Sequence, residues 1–104
     1  MIVGISAGAE SDLAEAFWFY EGQSQGLGDY FRACLIADIE SLVFLGGIHE
    51  VEHGYHRALS KTFPFGIYYR IRQDQLTIVG VLDLRREPQW IRESLDRRGS
   101  TESK

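Results

Sequence analysis

The sequence predicts an α+β fold of two layers, with an antiparallel sheet and a helical hairpin packed on one face of it. Three observations support this fold class. Residues 63–86 have the pattern of a β-hairpin, in which an alternating strand precedes an almost unbroken apolar strand. Two segments with apolar residues three and four positions apart come before the hairpin. A short strand-like segment opens the chain, so the predicted order is β-α-α-β-β-β with a short final helix.

The first strand and the first helix are predicted from the N-terminal segment. Residues 1–6 are rich enough in β-branched side chains to form a strand, and Ser6 is placed to cap the helix after it. The buried stripe of this helix consists of Ala9, Leu13, Ala16, Phe17 and Tyr20. Trp18 lies outside the stripe. We therefore expect Trp18 to be partly exposed, where it either packs on a partner or covers a loop.

A second helix follows a glycine-rich break at residues 22–28. Asp29 lies near its start, and Gly46 and Gly47 end it. The inner stripe of this helix consists of Leu27, Phe31, Leu35, Ile39 and Leu42 or Val43. Because a short polar loop joins the two helices, we expect them to lie antiparallel and to cover one face of the sheet.

Two of the predicted strands carry basic residues. Residues 55–61 are expected to form an edge strand that includes Arg57 and Lys61. In the following strand, alternation separates a core face from an opposite face. The opposite face carries Tyr68, Arg70 and Arg72. We expect this face of the sheet to be open, and either solvated or functional.

The last strand, residues 76–82, is predicted to be central. It is almost entirely apolar and rich in β-branched residues, as expected of a strand with neighbours on both sides. Only the N-terminal strand can be its second neighbour, which gives the strand order 1-4-3-2. Arg85 and Arg86 lie at the exit of this strand, before a short helix over residues 89–97.

Length and composition indicate one intracellular domain. The 104 residues, of which 44% are hydrophobic, allow a single core. We assign residues 1–96 to this domain and residues 97–104 to a disordered tail. The single cysteine, Cys34, excludes an internal disulfide and indicates a reduced thiol. The chain shows no secretory signal and no segment near the roughly 18 apolar residues of a membrane span, so a soluble, cytoplasmic protein without a membrane partner is expected.

The charge is distributed unevenly along the chain, although the net charge is only −4. Residues 1–53 hold nine acidic residues and one basic residue, whereas residues 54–104 hold six acidic and ten basic residues. We therefore expect an acidic side and a basic side, and the basic side permits an anionic partner. An equally good interpretation is that the two sets solvate different surfaces and attract each other.

One short motif, His49-Glu50-x-x-His53, has the spacing of a zinc peptidase site. The motif works only on a helix, which places both imidazoles on one face. Here flanking glycines leave room for little more than one helical turn, and a third ligand is hard to nominate. We expect no metal site. An adventitious site at His49, His53 and His56 is the stronger of the two metal interpretations.

Several short motifs, in their order and spacing, resemble the RelE/ParE superfamily of toxins from type II toxin-antitoxin systems. The motifs are Ala9-Glu10-Ser11-Asp12-Leu13, Phe19-Tyr20-Glu21, Gly26-Leu27-Gly28 with Phe31, Gly54-Tyr55-His56-Arg57-Ala58-Leu59, and the segment 63–86. Each motif is common by itself, but together they span about residues 2–95. The resemblance implies the fold described above, a growth-inhibiting activity, and a cognate antitoxin that neutralises it.

RelE-like members of this superfamily are described as ribosome-dependent messenger RNA endonucleases. In them, basic residues of the later strands hold the scissile phosphate, and a tyrosine near the C-terminus contributes. The resemblance places Arg57, Arg70 and Arg85 at such positions, with Lys61 as the lysine of the site. This chain departs from the pattern because no tyrosine follows Tyr69. An arginine, with its very high pKa, suits charge stabilisation better than proton transfer.

ParE-like members are described instead as poisons of DNA gyrase, which bind that enzyme and catalyse no reaction of their own. The missing tyrosine and the segment 82–88 look closer to this branch. The resemblance therefore implies a gyrase-binding toxin, with a metal-independent messenger RNA endonuclease acting at the ribosome as the alternative. No cofactor is expected in either case. A third interpretation, an attenuated toxin that binds only its antitoxin, stays open.

The predicted binding surface lies on the open face of the sheet or beside it. Its residues are Arg57, Lys61, Tyr68, Arg70, Arg85, Arg86 and Trp18. Guanidinium groups offer forks for phosphate or carboxylate, and Tyr68 could stack on a base. For Arg85 and Arg86, an equally good interpretation is that they pair with nearby acids and only fix the end of the chain.

Overall fold

The structure is a computed structural model that describes residues 1–102, with side chains described for residues 1–99. In chain order the elements are β1 (Ile2–Ile5), α1 (Ala7–Gln23), α2 (Leu27–Glu40), α3 (Leu42–Leu45), β2 (Val51–Glu52), β3 (Tyr55–Leu59), β4 (Phe65–Arg72), β5 (Gln75–Asp83) and α4 (Pro88–Glu102). The strands form one sheet in the order β1-β5-β4-β3-β2. Apart from the two-residue strand β2, this is the predicted order 1-4-3-2. The predicted α+β class, with the α1–α2 hairpin on one face of the sheet, is confirmed.

The sheet is mixed, whereas the sequence predicted an antiparallel one. β1 runs parallel to β5, with Ile2 opposite Gln75 and Ile5 opposite Ile78, and the other strand pairs are antiparallel. The cause is the course of the helical hairpin. Helix α1 continues in the direction of β1, because Tyr20 near its end lies beside Arg85. The α2–α3 segment then returns the chain to the end of the sheet where β1 begins, with Gly46 beside Met1 and Leu76. β3 starts at that end, so β3 and β5 both run parallel to β1.

The two helices of the hairpin begin at defined caps and pack closely. Ser6 caps α1 as predicted, because its Oγ accepts the N–H of Ala9 at 3.2 Å. At the start of α2, the Glu21 carboxylate accepts the N–H of Gly28 at 2.9 Å. A Cβ on Gly28 would lie 2.7 Å from the carbonyl oxygen of Phe17, so glycine is required at this contact.

The core between the helical hairpin and the sheet is centred on aromatic rings. Phe31 is fully buried, and its ring centroid lies 5.1 Å from Tyr20, 5.0 Å from Phe63 and 5.1 Å from Phe65. Such contacts stabilise the core beyond the area that they bury. The other buried members of this core are Ala9, Ala16, Leu35, Leu42, Ala58, Ile67, Tyr69, Leu76, Ile78 and Val81.

A second core lies on the face of the sheet that the sequence predicted to be open. Helix α4 covers this face. The buried members of this core are Tyr68, Val79, Leu82, Ile91 and Leu95. The helix can come so close because residue 80 is glycine, where a Cβ would lie 3.3 Å from Cδ2 of Leu95. The expectation of an open face was wrong because the apolar stripe of α4 does not reveal which surface it covers.

A β-bulge in the β4–β5 ladder allows β5 to contribute side chains to both cores. Tyr68 lies opposite Gly80 but Tyr69 lies opposite Ile78, so Val79 is an extra residue. The bulge turns Val79 toward α4, whereas Ile78 and Val81 both face the helical hairpin. The unbroken apolar run of β5 therefore reflects burial on both faces of the sheet.

Helix α4 is longer than predicted and carries a partly buried ion pair near its C-terminal end. It extends to Glu102, so residues 97–102, which were assigned to the predicted tail, are helical in the structure, and residues 103 and 104 lie outside the described residues. The guanidinium of Arg98 donates to both carboxylate oxygens of Asp12, at 2.5 and 2.8 Å, and to the carbonyl of Val79 at 3.0 Å. Asp12 also accepts the N–H of Val81 at 2.9 Å. Because β1 ends opposite Ile78, this ion pair satisfies the part of the β5 edge that has no neighbouring strand.

Within residues 1–102, no helix combines the length and the apolar character that crossing a membrane requires.

Candidate functional site

The predicted binding surface is divided between the two ends of the sheet. Arg70 lies near the end of β4, whereas Asp83, just before Arg85, lies opposite Phe65 at the start of β4. The stretch of β4 between Arg70 and Phe65 is about 17 Å long at the usual rise of an extended strand. Helix α4 covers the sheet between these ends. Arg70 and the Arg85-Arg86 pair therefore belong to separate sites.

Tyr68 lies beneath α4. Its side chain is 1% exposed, so the expectation that it forms an accessible stacking platform is wrong. Arg57 lies opposite Tyr68 on β3 and is half-buried beside it. Burial raises the pKa of Tyr68, and the hydrogen bond from Arg57 opposes this effect in part. Of these two residues, only Arg57 can meet a partner.

Arg70 lines a cleft of about 400 Å³ beside the C-terminal half of α4. Arg72 follows on the same face of β4, as alternation predicted, although it was not included in the predicted surface. The other residues of the cleft are His53, Gly54, Tyr55, Leu95, Asp96 and Gly99. Asp96 adds a carboxylate to the two guanidinium groups. The cleft is therefore mixed in charge.

Arg85 is bound by Asp83. Its Nε and Nη2 donate to the two carboxylate oxygens at 3.0 and 2.7 Å, and its backbone N–H donates to Oδ1 at 2.9 Å. Nη2 also lies 3.4 Å from the hydroxyl of Tyr20. The hydrogen bonds from Arg85 hold the pKa of Asp83 below its usual value, and the same bonds raise the pKa of Arg85. These hydrogen bonds fix the guanidinium in position. It is still accessible to a partner, because 58% of the Arg85 side chain is exposed.

Arg86 stacks on Trp90, with its guanidinium carbon 3.9 Å from the centre of the ring. Both residues line a groove of about 320 Å³ between α1 and the junction of β5 and α4, which we call the α1–β5 groove. The other residues of the groove are Asp12, Glu15, Ala16, Phe19, Phe65, Val81, Leu82 and Asp83. Phe19 is 55% exposed. The α1–β5 groove thus combines apolar side chains with three carboxylates and the guanidinium of Arg86, and Arg85 lies beside it.

Trp18 is exposed on α1, as expected, with 69% of its surface accessible. Its ring packs edge-on against Phe17, at 4.9 Å between centroids. Arg32 also contacts Phe17, with its guanidinium carbon 4.7 Å from the centre of the Phe17 ring. Together with Glu10, Leu13 and Ala14, these residues line a second groove of about 360 Å³ on the helical hairpin.

Lys61 lies in the loop after β3 and not in the predicted edge strand, because β3 ends at Leu59. The Asp38 carboxylate holds this loop against α2. It accepts the Ser60 hydroxyl at 2.7 Å and the backbone N–H of Lys61 at 3.3 Å. The side chain of Lys61 is exposed and carries a charge beside the aromatic core.

The His49-Glu50-x-x-His53 motif is not helical in the structure. Its two central residues, Val51–Glu52, are strand β2, and His53 adopts a left-handed conformation with φ of 55°. His49 is hydrogen-bonded to Tyr69. Among the described residues, no group of three or more His, Cys, Asp or Glu side chains is arranged to hold a metal ion. The zinc peptidase interpretation therefore lacks the helix on which it depends.

Removing the Arg85 side chain is expected to have little effect on stability. Because the Arg85–Asp83 ion pair is largely exposed on the arginine side, Arg85→Ala should lower the free energy of unfolding by less than about 1 kcal/mol at pH 7. The lowered pKa of Asp83 means that this contribution is present at neutral pH and is lost as the pH falls below about 4. Urea denaturation at pH 7 and pH 3 measures both effects. A loss above 2 kcal/mol would show that Arg85 is mainly structural.

Comparison with known proteins shows a likeness at the level of the fold. No protein-family model matches the chain, and no curated protein matches its sequence. Among solved structures, a chain described as "Chromosomal ParDE TA system from P. aeruginosa" has a TM-score of 0.68 and 12% sequence identity. The match covers 81% of this chain and 96% of that chain. The protein therefore has the RelE/ParE-like fold that its sequence motifs predicted.

Proposed function

We propose that the protein is the toxin of a type II toxin-antitoxin system, of the ParE-like kind, and that it acts in the cytoplasm by binding a target. The observation that carries this proposal is the placement of Arg85 and Arg86 beside the α1–β5 groove, on a fold shared with a chain of a ParDE system. Arginine keeps its proton at any physiological pH, so these residues suit binding and not proton transfer.

For the target we propose DNA gyrase. The support comes from the segment 82–88 and from the absence of a tyrosine after Tyr69, both of which resemble the gyrase-directed branch. The alternative, a messenger RNA endonuclease that acts at the ribosome, is favoured by Arg57 and Arg70, which lie on the same face of adjacent strands. Against it, α4 covers Tyr68, which lies opposite Arg57 on the same face of the sheet.

Purified protein distinguishes the two targets. We expect it to inhibit supercoiling by purified gyrase, and we expect no cleavage of ribosome-bound messenger RNA. Cleavage that Arg70→Ala abolishes would overturn the gyrase assignment and favour the endonuclease. Loss of both activities, with antitoxin binding retained, would indicate an attenuated toxin.

For the antitoxin we propose an acidic segment, disordered when free, that folds across the basic side of the protein. Its carboxylates would pair with Arg85 and Arg86, and an apolar side chain or helix would fill the α1–β5 groove or the groove beside Trp18. Such a contact is steered by charge. Its association rate should fall as the screening length shrinks from about 10 Å at 0.1 M salt to about 3 Å at 1 M. The product is a toxin-antitoxin hetero-oligomer.

Replacing Arg85 and Arg86 together by alanine is expected to weaken both antitoxin binding and growth inhibition. The affinity should fall by about tenfold or more, because two charge-assisted hydrogen-bonding groups are lost at the edge of the groove. Calorimetry with the product of the neighbouring gene and growth curves after induction measure the two effects. Glu40→Ala, an exposed acid at the end of α2 that lines neither groove, is the control and should change neither. A double variant that stays fully toxic and binds its antitoxin normally would refute this site.

A further inference from the structure

A hydrogen-bonded cluster around Tyr69 ties the segment between α3 and β2 to the sheet. The side chain of Tyr69 is fully buried in β4. Its hydroxyl accepts the N–H of Gly47 at 2.9 Å and lies 2.6 Å from Nδ1 of His49. On the other side, the ring of His56 stacks on that of Tyr69, with centroids 5.0 Å apart and an angle of 21° between the planes. Nδ1 of His56 lies 2.8 Å from the carbonyl oxygen of His49.

The proton positions follow from the partners of the Tyr69 hydroxyl. The N–H of Gly47 can only donate, so the hydroxyl accepts it, and within the described residues the other partner of the hydroxyl is Nδ1 of His49. Because the hydroxyl is buried, its own proton is hydrogen-bonded when Nδ1 of His49 accepts it, which requires a neutral His49 with its ring proton on Nε2. The partner of His56 is a carbonyl, so Nδ1 of His56 carries a proton and Nε2 can accept another. Only His49 must stay unprotonated at the atom that holds the cluster together.

We propose that His49 is an acid-sensitive switch whose protonation releases residues 46–50 from the sheet. A proton on Nδ1 of His49 removes the acceptor of the Tyr69 hydroxyl, and that hydroxyl is then left with an unmade hydrogen bond in the core. This device is independent of the toxin target, since none of its residues belongs to the surface around Arg85 and Arg86.

Two side chains of the sheet face His49. The groups that face it are the phenol of Tyr69 from β4 and the imidazole of His56 from β3. The acids that follow in sequence are Glu50 and Glu52, and among the described residues no carboxylate forms an ion pair with either imidazole. Burial, reinforced by the neighbouring His56, lowers the pKa of His49. A lowered pKa in the closed form means that acid favours the open form, beginning near the ordinary histidine pKa of about 6.5.

Release of residues 46–50 would change the surface next to them. The segment carries Ile48, which is 71% exposed, and it follows Phe44, which is 89% exposed. Its last carbonyl, that of Glu50, accepts the N–H of Arg57 on β3 at 2.9 Å. Opening would therefore free one backbone donor of β3 and enlarge an apolar surface that is already accessible. Few other contacts resist this, because β2 pairs with β3 at only two positions.

Hydrogen exchange of the Gly47 amide, read by NMR in the full chain, tests the switch. Protection is compared at pH 7.5 and pH 5.0 after correction for the intrinsic exchange rate. We expect protection in the wild type to fall by about tenfold or more at pH 5.0. His49→Gln keeps an acceptor for the Tyr69 hydroxyl but does not titrate, so its protection should not depend on pH. His53→Asn, in the exposed turn that follows, is the matched control and should show the wild-type fall.

Protection that is independent of pH in the wild type, or a fall that persists in His49→Gln, would overturn the proposal. A second measurement does not depend on a variant. Nitrogen NMR of the imidazoles should show His49 as the Nε2–H tautomer at pH 7.5, with a titration midpoint below the ordinary histidine pKa of about 6.5. An Nδ1–H tautomer for His49 would contradict the proton positions on which the switch depends.

Discussion

Replacing Phe31 by alanine is expected to lower the free energy of unfolding by about 3–5 kcal/mol. Phe31 is fully buried and contacts the rings of Tyr20, Phe63 and Phe65, which come from α1, the loop before β4, and β4 itself. Truncation would leave a cavity between three separate segments that cannot all move inward. Urea denaturation followed by circular dichroism measures the loss.

Ile36→Ala is the matched control for Phe31→Ala. Ile36 is an apolar residue of the same helix, but 43% of its side chain is exposed. Its truncation should therefore cost about 1 kcal/mol or less. Equal losses for the two variants would show that the aromatic cluster is not the centre of the core.

The second large effect is expected for Asp12→Ala, which should cost about 3 kcal/mol. The substitution leaves the guanidinium of Arg98, which is 25% exposed, without its carboxylate. It also leaves the N–H of Val81 without its acceptor, on a strand edge that no other strand covers. Thermal or urea denaturation measures the loss, and hydrogen exchange should show faster exchange in the C-terminal half of α4.

A double-mutant cycle tests whether this cost comes from the Asp12–Arg98 ion pair. Each single change removes the ion-pair partner of the other side chain. The double variant Asp12→Ala/Arg98→Ala should therefore lose clearly less unfolding free energy than the sum of the two single losses. Asp29→Ala removes an exposed carboxylate that lies 3.5 Å from Arg32, and it should change stability by less than about 0.5 kcal/mol. Additive losses in the cycle would show that the two side chains act separately.

Much of the fold follows from local patterns in the sequence. Alternation in β4 and helical spacing in α2 each identify a buried face, and the apolar run of β5 identifies the central strand. These patterns do not identify the surface that covers a given face. The stripe of Ile91 and Leu95 predicts that α4 is buried, but only the structure shows that it lies on Tyr68. The direction of β1 relative to β5 depended on the course of the helical hairpin across the sheet, which helical spacing does not specify.

For the candidate site, the sequence predicted which arginines belong to it but not how they are oriented. Arg85 and Arg86 were identified because they follow directly after a central strand. Their orientation depends on the fork to Asp83 and on the ring of Trp90, and neither contact has a signature in sequence spacing. The Asp12–Arg98 ion pair was not predicted, because its members are 86 positions apart and only the folded chain brings them together. The α1–β5 groove, which lies between distant segments, could not be predicted for the same reason.

The pairing of the first strand with the last has a consequence for how the protein is made. Among the described strands, β1 pairs with β5 alone, and the edge of β5 is completed by Arg98. A chain that emerges from the ribosome therefore cannot close its sheet until residue 98 has been synthesised. Before α4 emerges, Tyr68, Val79 and Leu82 are uncovered. The edge of β5 beyond Ile78, which β1 does not cover, is then free to pair with another strand. A product that ends before residue 88 would thus aggregate instead of folding, so the segment that forms α4 must be translated before this domain is stable.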